Sequence, residues 1–136
     1  VELAPLDLMP HTVYSFLQQV SRRLWDNTAF WHKDGVDHII SGRAISAYTW
    51  DPKDHYFDAL GMGSLSFAEY SPDYPHKPWT IGFAGRGPNF YINAADNTKL
   101  HGPGGQGHHI LPDDADPCFG TIVEGMETVR EMYAVQ

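Results

Sequence analysis

The chain has 136 residues, 42% of them hydrophobic and 13% aromatic, which is one domain's worth of sequence with enough apolar material for a packed core. Seventeen acidic against nine basic residues give a net charge of −8, and the basic residues are scattered, so nucleic acid and anionic membrane surfaces are excluded as partners. Cys118 is the sole cysteine, which rules out an intrachain disulfide, and no apolar run is long enough to span a bilayer. At this length a single domain, residues 1–136, is expected, and the opening on Val1 fits a processed product, an excised domain or the ordered part of a longer chain.

Val1 to Leu3 reads as the end of a strand, and Pro5 and Asp7 mark a turn. Pro10 suits the first turn of a helix, and Val13, Phe16, Leu17, Val20 and Leu24 then recur at helical spacing, which predicts an amphipathic helix over 10–24. Short strands separated by Gly, Pro and Asp follow at 29–32, 38–46, 64–70, 79–84, 90–93 and 119–123. A second helix is expected after Gly125, with Met126, Val129, Met132 and Tyr133 on one face. Strands with a helix near each end suggest a mainly antiparallel β-barrel closed by two helices.

Four segments carry a family resemblance. Leu8 to Phe16, with Pro10, Thr12 and Phe16, resembles the strand–Pro–x–Thr–x–x–x–Phe lead into the first helix of the cyclophilins. Ala29-Phe30-Trp31-His32 resembles their Phe-His-Arg strand, and Ile81 to Ala84, Gly87-Pro88 and Phe90-Tyr91-Ile92 resemble the Leu-Ser-Met-Ala, Gly-Pro and Phe-Phe-Ile segments. Phe119 to Val129 resembles the Phe-Gly-x-Val-x-x-Gly-Met-x-x-Val signature. The resemblance runs along nearly the whole chain in the right order. It implies a cyclophilin-like barrel and, with it, two further terminal strands that would lie outside 1–136.

The resemblance also implies peptidyl-prolyl cis-trans isomerisation. Rotation about an X-Pro bond is slow because amide resonance sets a barrier of ~18–20 kcal/mol. In the family an Arg donates to the prolyl nitrogen, an apolar pocket seats the proline ring, and polar groups orient the peptide, so catalysis is positioning plus electrostatics. Here the Arg position falls on His32, whose shorter imidazole has an unperturbed pKa of about 6.5 and replaces a permanently charged fork. The Phe-Met-x-Gln run falls on Asp37, His38, Ile39 and Ile40. The remaining groove positions fall on Gly85 for Asn, Asn89 for Gln, Tyr91 for Phe, Lys99 for Trp, Leu100 for Leu and Asp116 for His. Arg43 or Arg86 is the alternative source of a cation, and Arg86 in Gly85-Arg86-Gly87-Pro88 is counted with the groove.

Eight histidines raise the question of a metal. His101, His108 and His109 flank a Gly-rich loop followed by Asp113, Asp114 and Asp116, a set of N and O donors. No helical H-x-x-x-H fixes a geometry, so they are read as solvated loop residues, and no cofactor is expected. Gly102 to Gly107 lacks the Lys-Ser/Thr of a phosphate loop. Cys118 is read as a buried thiol, and Tyr70 to His76 as cover for the barrel or an aromatic partner surface.

Taken together, the residues predict a cyclophilin-like peptide- or protein-binding or scaffold domain whose isomerase pocket is degenerate and whose ligand is a peptide or protein, with proline-containing segments as one candidate. The alternatives are a weakly active isomerase and a structural subunit or appended domain of a larger assembly.

Overall fold

The computed structural model describes residues 1–34 and 39–135, with the backbone alone for 32–34 and 39–41. Asp37 and His38 therefore lie outside the described residues. Six strands form one antiparallel sheet among the described residues: β1 (Glu2–Leu3), β2 (Thr28–Asp34), β3 (Ile39–Ser46), β4 (Thr80–Phe83), β5 (Phe90–Asn93) and β6 (Cys118–Thr121). Their order across the sheet is β1-β6-β4-β5-β3-β2. The central strands β4 and β5 are short, and nearly all their residues are buried, so they read as apolar runs rather than alternating ones.

Helices α1 (Pro10–Ser21) and α4 (Met126–Ala134) are the two that the sequence predicts. Both pack on the core formed by Met9, Val13, Ile81, Phe83, Ile92, Phe119, Ile122 and Val129. Phe16 of α1 meets the rings of Phe83, Phe90 and Phe119, with centroids 4.7 to 6.4 Å apart. From α4, Met126, Met132 and Tyr133 line the same core, as their spacing predicts. Gly125 precedes that helix with φ of 81°, a conformation that favours glycine.

The predicted inner face of α1 is only partly right. Val13 is buried, yet Leu17 and Val20 are 46% and 50% exposed, and the polar Thr12 and Gln19 are buried instead. Both polar residues are satisfied by distant chain. Gln19 donates to the carbonyl of Met62 and accepts from the Trp25 indole. Thr12 donates through its hydroxyl to Glu69.

That glutamate explains a second departure. Residues 64–70, expected as a strand, are irregular chain laid across the start of α1. The Glu69 carboxylate accepts the backbone N–H groups of His11 and Thr12 at 3.1 and 2.7 Å and the Thr12 hydroxyl at 2.6 Å. Met9, at the N-cap, has no side-chain acceptor, so the first turn would otherwise leave donors unpaired and its dipole unanswered. Two short helices escaped the sequence reading, α2 (Asp54–Ala59) and α3 (Thr98–His101). At six and four residues they are too short for a 3.6-residue period to be visible. Glu69→Ala is expected to lower unfolding free energy by about 1–3 kcal/mol, since it strips three donors of their acceptor, and urea denaturation measures it.

Candidate functional site

The site is built on one row of the sheet. Backbone pairing runs from His32 on β2 to Ser41 on β3, to Tyr91 on β5, to Gly82 on β4 and to Cys118 on β6. Tyr91 is 1% exposed, and the glycine beside it makes room for its hydroxyl. A Cβ at Gly82 would lie 2.9 Å from the Tyr91 hydroxyl, 2.9 Å from the Pro117 carbonyl and 2.8 Å from the His76 ring.

Asp116, two residues before β6, is the centre of the site and is 1% exposed. Oδ2 accepts from His101 Nδ1 at 2.8 Å and from the Tyr91 hydroxyl at 3.1 Å. Oδ1 accepts from the Gly85 backbone N–H at 3.1 Å and is met by His108 Nε2 at 3.0 Å and His109 Nε2 at 3.2 Å. Its backbone carbonyl accepts from His76 Nε2 at 2.8 Å. The loop that delivers these histidines is zipped at its base: Asp116 N–H donates to the His101 carbonyl and Gly104 N–H to the Asp114 carbonyl. Asp114 folds its tip back by accepting from the Ile110 and Leu111 N–H groups.

Burial pushes the Asp116 carboxyl up, but hydrogen bonds from His101, His108 and His109 outweigh it and hold the group down at about 2. His76 goes the other way: desolvation lowers it to about 4, so its ring is neutral at pH 7. Tyr91 is raised well above its ordinary 10.0, first by burial and then by the Asp116 charge. Burial pushes the Cys118 thiol up to about 12, in keeping with the inert thiol read from sequence.

The histidines correct one expectation. His101 and His109 side chains are 5% and 3% exposed, and only His108, at 52%, meets solvent. They were expected in water because no helical H-x-x-x-H fixes their geometry. The buried charge of Asp116 draws them in, because a carboxylate that has lost its water needs donors. His101 also stacks on Tyr91 with centroids 4.5 Å apart.

The structure thus brings together Gly85, Tyr91, His101, His108, His109 and Asp116. Arg86 lies alongside, on a cavity of about 310 Å³ that it shares with Gly85, His108, His109, Ile110 and Ala115. Its guanidinium donates to the Ser66 carbonyl and stands 4.0 Å from Asp114. Asn89 serves the scaffold, accepting the Ala44 N–H on Oδ1. Lys99 and Leu100 sit exposed on α3. Ile40 is placed by backbone pairing opposite Ile92, and Arg43 is exposed on β3.

The family model for the cyclophilin type peptidyl-prolyl cis-trans isomerase/CLD matches residues 1–136. The chain belongs to the cyclophilin family. Two solved structures of a Cryptosporidium parvum cyclophilin type peptidyl-prolyl cis-trans isomerase share its fold. The one in the presence of the dipeptide Ala-Pro is 20% identical, with a TM-score of 0.66 over 97% of this chain and 76% of that one. The other is 18% identical, with a TM-score of 0.63 over 94% and 73%. Comparison with curated protein sequences returns no match.

Within this cyclophilin-type domain, the sequence reading missed His76 and Gly82. His76 is fully buried against Tyr91, Asn93 and His101. A His held between Pro75 and Lys77 carries no periodic signal. Gly82, within an apolar strand run, was a usable hint that something approaches the backbone closely. Gly82→Ala is expected to cost about 1–3 kcal/mol by overpacking and to shift the Tyr91 ring resonances. A second expectation concerns pH. His76 has a folded value of about 4 against an ordinary 6.5, so the unfolded chain binds its proton first. Its contribution to stability is complete above 6.5 and is lost as pH falls from 6.5 toward 4. Urea midpoints taken across that range in chelator-treated buffer should fall with acidification, and less so in His76→Gln; equal slopes for the two proteins would mean that His76 does not carry this dependence.

Proposed function

We propose that this cyclophilin-type domain binds a peptide or protein segment and has little or no isomerase activity. The observation that carries this reading is the burial of Tyr91. Its position corresponds, by the resemblance, to a Phe that seats the proline ring. Here the ring is 1% exposed and lies under His101, beside His76, with its hydroxyl on Asp116. A prolyl side chain arriving at that point would have to displace a satisfied polar network from the protein's own interior. Burying an apolar ring against a carboxylate and imidazoles offers no compensating transfer energy. The permanently charged Arg of the family is replaced by His32. Both parts of the usual mechanism, the apolar seat and the cation at the prolyl nitrogen, are therefore weakened together.

What supports binding is the cavity beside Gly85 and Arg86, which has an exposed guanidinium, an exposed imidazole and the apolar Ala68, Ile110 and Ala115 around it. The related Cryptosporidium parvum structure determined with Ala-Pro lends the family precedent for a short peptide. Exchange spectroscopy on an Ala-Pro-containing peptide at high protein concentration tests the reading. Peptide-dependent shifts at Gly85, Arg86 and His108, with no acceleration of cis–trans exchange, are expected. Acceleration that His32→Ala or Arg86→Ala abolishes would establish the weakly active isomerase instead. The same titration separates both from an appended structural domain, for which no peptide would perturb these residues.

A further inference from the structure

Asp116 has more donors than it can comfortably use. A carboxylate offers about four lone-pair directions, two on each oxygen. Five groups converge on this one: Gly85 N–H, His108 Nε2 and His109 Nε2 on Oδ1, and His101 Nδ1 and the Tyr91 hydroxyl on Oδ2. The excess falls on Oδ1, where two imidazole nitrogens compete for the single direction that Gly85 leaves. We propose that His108 Nε2, His109 Nε2 and Asp116 Oδ1 form a binding site for a divalent first-row transition metal ion of the zinc type.

The geometry suits such an ion. One ligand atom from each of these three residues lies within 4.8 Å of the other two. The N···O separations of 3.0 and 3.2 Å are close to the spacing of about 3.3 Å between ligands around a tetrahedral ion with bonds of about 2.0–2.2 Å. Two imidazoles and one carboxylate favour zinc and its neighbours over calcium or magnesium, which take oxygen. The far side of the carboxylate is already fixed by His101 and Tyr91, the kind of outer support that orients a ligating group. His108 and His109 also line the cavity of about 310 Å³, so the fourth position of the ion opens toward it.

One contact must change. His109 Nδ1 accepts the Gln106 backbone N–H at 3.1 Å, which places the ring proton on Nε2. A metal on Nε2 requires that proton to leave and Nδ1 to become the donor, so the Gln106 N–H has to turn away. Metal binding is therefore coupled to movement of the loop at Gly105-Gln106-Gly107.

The test uses the full chain without a tag, stripped with a chelator and titrated with Zn²⁺ against a chromophoric competitor while the Gln106 amide is followed by NMR. One ion per chain, a shift of the Gln106 resonance, and an affinity reduced more than about tenfold in His108→Ala are expected. His55→Ala, a histidine outside the cluster, should leave the affinity unchanged. Because His108 is half exposed, its alanine variant should keep the metal-free melting temperature, which separates loss of a ligand from loss of the fold. Absence of Zn²⁺ uptake, uptake that His108→Ala does not weaken, or uptake that leaves Gln106 unmoved would each overturn the site. Tighter binding of Mg²⁺ than of Zn²⁺ would do the same.

Discussion

A carboxylate taken out of water inside a β-sheet protein must recruit donors from wherever the chain can supply them, and much of this molecule is arranged around that demand at Asp116. The sheet contributes the Tyr91 hydroxyl, the β4–β5 turn contributes the Gly85 N–H, and the loop from 101 to 116 folds back on itself to bring three imidazoles. Gly82 has no side chain because the hydroxyl and the His76 ring occupy that space. Even His76, which touches the backbone of Asp116 rather than its charge, is held neutral by the same exclusion of water. Buried ionic groups of this kind are weak evidence for net stability, since desolvation offsets most of the attraction. They do fix geometry, because a donor that leaves exposes an unpaired charge.

The contacts that build the cyclophilin scaffold are distinct from the polar groups gathered around Asp116. Core contacts among Phe16, Phe83, Phe90 and Phe119 reproduce the fold of the family. Around Tyr91 the neighbours are instead polar, the His76 and His101 rings and the Asp116 carboxylate. A fold is compatible with many sites, and identity of architecture does not carry activity with it.

Legibility in the sequence followed the range of the forces involved. Residues 90–93 were readable as a strand to the residue, because a buried central strand is an apolar run bounded by turn residues. The Met126–Tyr133 face was readable because its period is local. Residues 64–70 were misread since their alternation suggests a strand, while their conformation is decided by Glu69 reaching a helix 57 positions away. The burial of Thr12 and Gln19 in place of Leu17 and Val20 has the same origin: their partners are remote in sequence. The site divided likewise. Tyr91 and Asp116 could be placed by position in the family pattern, but the gathering of His101, His108 and His109 depended on how a Gly-rich loop closes, which composition does not encode.

The Glu69 cap also bears on how the chain acquires its structure. A helix of 12 residues is marginal on its own in water, and α1 has no acidic residue in its first turn and no side chain capping it locally. Its N-terminal donors are met only after the intervening chain, which includes β2, β3 and α2, has returned to bring the carboxylate into place. The entropy of closing a loop of that length must be met before the cap contributes anything. Helix and sheet are consequently not independent units that later dock. The first turn of α1 becomes secure only at the stage when tertiary contacts form, which ties the order of the helix to the cooperativity of the whole domain.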